Sequence, residues 1–289
     1  MILEITHSLT YRYSQPVYLE PYILRLTPRS DGAQALQTFE LRIDPKPQHS
    51  SAAADLDGAT SHCLHFSGSH DRLCISTRSV VETLRTNPYD FLLRDAAYSR
   101  IPLAYPGELR AALQIYLQRG EADPQVDALA RTLALDNRDG TLDFLADLTR
   151  RIHQVWRNEH RESGAPRRPG ETLTLARGTC RDLAVLWMDA CRAAGVAARF
   201  VSGYKLGEGD DSEHHLHAWA EAYLPGGGWR GFDPSTGLAV VDRHVALAAS
   251  AFPALASPGQ GSFRGEALSE LATEVAVRQR VAKLPLTMP

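Results

Sequence analysis

Three residues whose side chains could together perform nucleophilic catalysis stand in the second half of the chain. Cys180 follows Thr179 at the start of a helix-like apolar pattern, and the N-terminus of a helix favours a thiolate because its partial positive charge and free N–H groups stabilise an anion. His217 opens an alternating run, and Asp233 closes the next strand-like run ahead of Pro234. A thiol, an imidazole that moves its proton and a carboxylate that orients the imidazole would form a catalytic triad.

Local spacing predicts a cap at the start of the helix that carries the cysteine. Thr179 and Asp182 have the S/T-x-x-D/E spacing in which side chains and backbone N–H groups cap each other. This explains Asp182 structurally, but its carboxylate would also oppose the formation of a thiolate at Cys180. A cationic group is therefore expected near the sulfur, and His217 is the candidate.

The connection between the two strand-like runs decides whether His217 and Asp233 can meet. They share a face of the sheet only if an odd number of residues closes the ladder, such as Gly226 to Gly228, because successive side chains point to opposite faces. The spacing also leaves the two residues staggered along the ladder unless the pairing is short or bulged. The alternative is that Asp233 only caps a turn with Pro234.

The four cysteines also have simpler explanations. Free cysteine is often buried, which is the alternative for Cys180 and the expectation for Cys191 in the same helical pattern. Cys63 and Cys74 flank a two-residue turn at Gly68 and Ser69 that would place them opposite each other. A disulfide could form there, but reduced thiols are expected.

The sequence predicts no metal site and no cofactor. Adjacent residues of a strand point to opposite faces, so His214 and His215 could not easily chelate one ion together. The acidic run at 207–213 lacks the alternating ligands of a calcium loop. Both stretches are interpreted as solvated loop.

Hydrophobic periodicity divides the chain into two domains. Residues 1–85 alternate with a period of two and predict an all-β domain, and proline pairs interrupt a linker at 86–106. Residues 107–250 show helical spacing first and strand-like runs afterwards. A tail at 251–289 includes a stretch, 271–281, whose pattern fits a helix or a strand. The predicted fold class is α+β, with helices followed by an antiparallel sheet.

Composition excludes several classes of protein. The chain has 289 residues, of which 44% are hydrophobic and 22% charged, which is typical of globular proteins and excludes a disordered or fibrous chain. A formal net charge of −3 argues against binding to nucleic acid or to an anionic membrane. The N-terminus lacks the pattern of a signal peptide, and no apolar run reaches the length of a membrane span. We therefore expect a cytoplasmic protein.

Four sequence blocks surround the three candidate residues. They are GTCRDLA at 178–184, GVAARFVSGY at 195–204, HAWAEAYLPGGGW at 217–229 and GFDP at 231–234. In order and spacing they resemble the bacterial transglutaminase-like family of cysteine enzymes. The first domain also resembles the β-rich N-terminal module of that family at His7, at Tyr11 to Tyr13, at 24–28, at Gln37 and at Asp57 with Gly58.

The resemblance implies a papain-like, transglutaminase-like core and a role for each candidate residue. Cys180 would attack an amide carbonyl, His217 would move the proton and Asp233 would hold the imidazole. The backbone N–H of Cys180 would be one oxyanion donor, with Trp156 or Tyr204 as the second, and Trp219 would line the cleft. It also implies that 271–281 is a strand, which could return to the N-terminal sheet.

The expected reaction is cysteine-dependent acyl transfer on a peptide or protein amide. Hydrolysis through a thioester is the first hypothesis. The alternatives are amine transfer onto protein glutamine, as in cross-linking, and a core that only binds a peptide. The sequence does not choose between water and an amine as the acceptor, because that depends on the shape and shielding of the cleft.

Overall fold

The computed structural model describes residues 1–93, 95–138, 140–159, 161, 164–207 and 216–280. The predicted α+β class is confirmed, because strands dominate both ends of the chain and helices precede the second sheet. The acidic run at 208–213, together with His214 and His215, lies outside the described residues. Within them, no helix is both long and apolar enough to cross a membrane.

The N-terminal region is built from strands. They are β1 (Ile2–Leu19), β2 (Tyr22–Leu24), β3 (Gln34–Asp44), β4 (His49–Ala54), β5 (Thr60–His65) and β6 (His70–Thr83). The alternation of apolar and polar residues explains β1, since Leu3, Ile5 and Leu9 are buried on one face of this strand. β1 pairs with β6, which pairs with β3, while β2, β5 and β4 form a second sheet.

The proposed hairpin between Cys63 and Cys74 does not form. Cys63 lies on β5 and Cys74 on β6, and these strands belong to different sheets. The chain therefore crosses between sheets at 66–69 instead of turning back on one ladder. Both cysteines are free thiols.

Helices come first in the second half. They are α1 (Gly107–Ala112), α2 (Gln114–Leu117), α3 (Pro124–Asp136), α4 (Thr141–Val155), α5 (Pro169–Leu175) and α6 (Cys180–Ala193), with the short parallel pair β7 (Arg157–Asn158) and β8 (Arg177–Gly178) between them. The first two helices meet at Leu113, which ends α1 and precedes α2. The preceding stretch is packed, since Ile101, Leu103 and Tyr105 are buried in the same apolar core as the helices.

An antiparallel sheet follows the helices. Its strands are β9 (Ala198–Lys205), β10 (Leu216–Leu224), β11 (Gly228–Asp233), β12 (Leu238–Ala239) and β13 (His244–Ser250), in the order β12-β11-β10-β9-β13. α6 packs against this sheet, with the ring of Trp187 stacked 5.3 Å from that of Phe232. This packing fixes the start of α6 relative to β10 and β11.

The C-terminal tail returns to the N-terminal region. It forms β14 (Gly259–Gln260), β15 (Phe263–Arg264) and β16 (Ser269–Gln279). β16 runs antiparallel to β1, with Leu3 opposite Gln279 and Tyr13 opposite Ser269. β1 and β16 therefore lie in one sheet.

Charged side chains join the N-terminal region to the second sheet. Arg29 Nη2 lies 3.1 Å from Glu221 Oε1, and Arg199 Nη1 lies 3.1 Å from Asp57 Oδ1. Arg199 also bonds Glu221, with an Nη2 to Oε2 distance of 2.7 Å. We call these four residues the interface network. All four side chains are buried to at least 90%.

Candidate active site

Cys180 is the first residue of α6. The cap before it is a complete capping box: Thr179 Oγ1 accepts a hydrogen bond from the Asp182 N–H at 3.4 Å, and Asp182 Oδ2 accepts one from the Thr179 N–H at 2.8 Å. The cap makes the helix begin at the cysteine. The N–H groups of the first turn need no acceptor within the helix, so they can face an anion on the sulfur or on a substrate.

The carboxylate of Asp182 is balanced by cations. Its Oδ1 accepts hydrogen bonds from Arg161 Nη2 at 2.9 Å and from the Arg167 backbone N–H at 2.7 Å. Burial would raise the pKa of Asp182, but hydrogen bonds from Arg167 and Thr179 and the charge of Arg161 lower it. Asp182 is therefore a paired anion, and its opposition to a thiolate at Cys180 is reduced.

His217 and Asp233 lie on neighbouring strands and touch. Leu224 pairs with Gly228, so the three residues 225–227 close the ladder between β10 and β11, an odd number. The register leaves His217 and Asp233 diagonal rather than directly opposite, a separation that side chains can span. His217 Nε2 lies 2.8 Å from Asp233 Oδ2.

The imidazole stands between the carboxylate and the thiol. Since Nε2 of His217 faces Asp233, the other ring nitrogen is left for Cys180. Burial would raise the pKa of Cys180, but the hydrogen bond and the charge of His217 lower it. Burial would likewise lower the pKa of His217, but the charge and hydrogen bond of Asp233, together with Cys180, raise it to about 10. These opposite shifts favour a thiolate next to an imidazolium.

Asp233 is fully buried and accepts four hydrogen bonds. Oδ1 accepts from the backbone N–H of Ser235 at 3.0 Å and from its hydroxyl at 2.6 Å, while Oδ2 faces Nε2 of His217 at 2.8 Å and of His244 at 3.2 Å. Burial would raise the pKa of Asp233, but the charge of His217 and these bonds hold it well below its usual value. Asp233 is therefore an anion across the neutral pH range.

Sequence reasoning did not identify His244. It is the first residue of β13 and is buried, and its ring lies 5.9 Å from that of His217. β13 pairs with β9 and not with the hairpin that carries His217 and Asp233, so no local spacing connects the three. A lone histidine at the start of an otherwise apolar and small-residue run was the available signal.

The structure corrects two of the residues expected to line the cleft. The indole N–H of Trp156 donates to the Leu173 carbonyl at 3.3 Å and is not free for an oxyanion. Tyr204 is buried against the N-terminal region, where its hydroxyl lies 2.9 Å from His7 Nδ1. The ring of Trp219 does lie at the site, stacked 6.2 Å from that of His217. Trp219 forms a wall behind the imidazole.

His217, Asp233 and His244 also have ligand atoms within 4.8 Å of one another, the one such metal-compatible group among the described residues. Nε2 of both histidines and Oδ2 of Asp233 take part in the hydrogen bonds given above, whereas Nδ1 of His244 is buried without a hydrogen-bond partner among the described residues.

Comparison with protein families places two regions of the chain. Residues 3–82 match the bacterial transglutaminase-like N-terminal region, and residues 128–234 match the transglutaminase-like superfamily. The second match contains Cys180, His217 and Asp233. The first covers most of the N-terminal strands.

Similar proteins extend over most of the chain. An uncharacterized protein of Mycobacterium tuberculosis (strain H37Rv) is 28% identical over 256 residues, which is 84% of this chain and 81% of that protein. One of Mycobacterium leprae (strain TN) is 24% identical over 292 residues, covering 93% of this chain and 95% of that protein. The solved structure of a "Putative Cysteine Protease" from Cytophaga hutchinsonii aligns with a TM-score of 0.73 at 20% identity, over 97% of this chain and 92% of that one. That likeness supports the fold.

Proposed function

Because the chain joins a bacterial transglutaminase-like N-terminal region to a transglutaminase-like core, we propose that it is a cysteine enzyme that transfers the acyl group of an amide. Cys180 is the nucleophile, His217 the acid and base, and Asp233 the residue that orients His217. The observation that carries the proposal is the continuous contact from thiol to imidazole to buried carboxylate at the start of a capped helix.

The reaction proceeds in two halves. The Cys180 thiolate adds to the carbonyl carbon of a carboxamide or peptide, and the resulting oxyanion is stabilised by N–H groups in the first turn of α6. His217 then gives its proton to the leaving nitrogen as the C–N bond breaks, which releases ammonia or an amine and leaves a thioester on Cys180. Water attacks the thioester, His217 accepts its proton, and the acid product leaves.

Hydrolysis is the proposed outcome, with a peptide or protein amide as the substrate. Cys180 is partly exposed, and hydrolysis requires that both the substrate and water reach its sulfur. An amine that reached the thioester before water would give cross-linking instead.

The first test is selective alkylation by iodoacetamide as a function of pH. Only the thiolate reacts, so a thiol whose pKa is lowered by His217 should be labelled in mildly acidic buffer, before Cys63 and Cys74. Burial raises the pKa of Cys191 well above its usual value, so this residue is the internal control expected to stay unlabelled in the folded protein. Equal labelling of all four cysteines at about pH 6 would contradict an activated nucleophile.

The second test separates the reaction classes. The protein is mixed with a panel of glutamine-containing peptides and a labelled primary amine, and the Cys180→Ala variant is the control. Ammonia release or peptide cleavage without label supports hydrolysis, and label incorporation supports amine transfer. Peptide binding without either product would favour a binding module.

A further inference from the structure

His244 contacts the same carboxylate oxygen as His217. Its Nε2 lies 3.2 Å from Asp233 Oδ2, and its ring packs at 5.2 Å, edge to face, against Trp219. Because that oxygen belongs to a carboxylate, the nitrogen that faces it must carry the proton and donate. The other ring nitrogen, Nδ1, is buried without a hydrogen-bond partner among the described residues.

The surroundings of His244 keep its imidazole neutral. The charged and titratable groups that face it are Asp233 on β11, His217 on β10 and Lys205 on β9. Burial lowers the pKa of His244, and the positive charges of His217 and Lys205 act in the same direction, against the opposing effect of Asp233. His244 therefore donates a hydrogen bond to Asp233 without adding a second cation that would compete with the imidazolium of His217.

The strand that carries His244 is held by the N-terminal region. The side chain of Gln34 forms two hydrogen bonds with Ala246, accepting from its N–H at 2.7 Å and donating to its carbonyl at 3.0 Å. Val245 and Leu247 are buried in the same apolar cluster as Leu3 and Ile5 of β1. β13 is thus packed on one side by β9 and on the other by a region outside the core.

We propose, on the basis of the function proposed above, that His244 is a positioning residue that fixes Asp233 for His217. His244 and the two donors of Ser235 occupy the lone pairs of Asp233 that His217 does not use. The carboxylate is then restricted to the orientation in which Oδ2 faces His217. The imidazole is held in turn at the thiol.

The experiment compares iodoacetamide alkylation of Cys180 across pH in the full-length wild type and three variants. His244→Leu removes the donor at similar volume, and His244→Gln places an amide N–H where Nε2 was. His7→Leu is the matched control, because His7 is also buried, also has one bonded ring nitrogen and one without a partner among the described residues, but contacts Tyr204 and not Asp233.

We expect His244→Leu to lower the alkylation rate at about pH 6 by about tenfold, because a less firmly held Asp233 stabilises the imidazolium of His217 less, and to leave the rate at alkaline pH unchanged. His244→Gln should restore most of the loss, and His7→Leu should keep the wild-type profile. If His244 only supported the fold, its replacement would not lower the alkylation rate at acidic pH alone, and a glutamine N–H would not restore that rate.

Two results overturn different claims. A wild-type profile like that of an ordinary thiol would contradict the proposed function. A lowered wild-type profile that His244→Leu leaves unchanged would contradict the positioning role alone. If His244→Leu does not fold by circular dichroism, His244→Asn takes its place, since its shorter side chain cannot present a donor at the Nε2 position; identical profiles for Asn and Gln would also overturn the proposal.

Discussion

Strand β10 carries two buried charged groups of opposite character, four residues apart. His217 belongs to the active site, where one carboxylate faces two imidazoles and the first imidazole faces a thiol. Glu221 belongs to the interface network, where two arginines face two carboxylates at 2.7 to 3.1 Å. The network also packs Arg199 over the ring of Trp229, 4.2 Å from its centroid.

The two clusters differ in whether their protons can move. In the interface network Glu221 keeps its charge at neutral pH: burial would raise the pKa of Glu221, but the charges of Arg199 and Arg29 lower it to about 2. In the active site a proton can pass between Cys180 and His217, whose ordinary pKa values of 9.0 and 6.5 the site shifts in opposite directions. Fixed charges join two regions, whereas a transferable proton supports chemistry.

This difference determines which measurement detects each cluster. In the unfolded chain at about pH 8, Cys180 and His217 together hold one proton, which is on the sulfur. In the folded protein they also hold one proton, which is on the imidazole. Stability depends on pH only through a difference in bound protons, so the pair adds little slope there. The pair of Cys180 and His217 should therefore appear in reactivity against pH, and Glu221 of the interface network in stability against pH.

The largest expected effect is the loss of reactivity in His217→Gln. Without the imidazolium, burial of Cys180 favours the neutral thiol, so the alkylation rate at about pH 6 should fall about a hundredfold or more. Once a substrate is known, the acyl-transfer rate should fall about 10⁶-fold, as it does when the base of a triad is removed. Mass spectrometry of labelled peptides measures the first quantity. An unchanged rate at pH 6 would assign the activation of Cys180 to the helix alone.

The next effect is on stability, in Glu221→Gln. Removing this charge leaves Arg29 and Arg199 with one fewer buried partner, which typically costs about 3 to 5 kcal/mol. Urea unfolding measures the loss, and Glu274→Gln, an exposed glutamate on β16, is the control with an expected change within about 0.5 kcal/mol. The alkylation profile of folded Glu221→Gln should match the wild type. A changed profile would show that the two clusters are coupled along β10.

Acid should remove the stabilisation that the charge of Glu221 provides, because it protonates this carboxylate. The folded-state pKa of Glu221, about 2, lies below its ordinary value of 4.5, so its contribution is fully present above pH 4.5 and is lost as the pH falls towards 2. Between these values the wild type should lose about 2 to 3 kcal/mol more stability than Glu221→Gln. Parallel stability curves for the two proteins would show that Glu221 titrates normally in the folded state.

Local patterns in the sequence predicted the parts of the site that depend on neighbouring residues. The capping spacing of Thr179 and Asp182 concerns a single helical turn, and the condition that an odd closure brings His217 and Asp233 to one face, which the structure meets, concerns one hairpin. Such features follow from dihedral preferences and side-chain alternation, which a sequence displays directly.

The parts that were missed depend on contacts between distant segments. Tyr204 was expected at the cleft, but its partner is His7, 197 residues away in the chain. The hairpin through Cys63 and Cys74 was wrong because β5 pairs with β2 and β4, whereas β6 pairs with β1 and β3 of another sheet. His244 reaches Asp233 only because β13 pairs on the far side of β9. Periodicity does not reveal which strands become neighbours.

The smallest effect is expected for Thr179→Ala, which tests the contribution of the helix cap separately from that of the triad. Loss of the N-cap hydroxyl should cost about 1 kcal/mol in urea unfolding, with Thr174→Ala on α5 as a control that removes a threonine hydroxyl bonded to a helix carbonyl and not to a helix N–H. Since His217 and not Thr179 supplies the cation beside the sulfur, the alkylation rate at about pH 6 should change by less than about threefold. A larger change would mean that the start of α6, rather than the imidazole, sets the reactivity of Cys180, and would move the main source of activation from β10 to the helix.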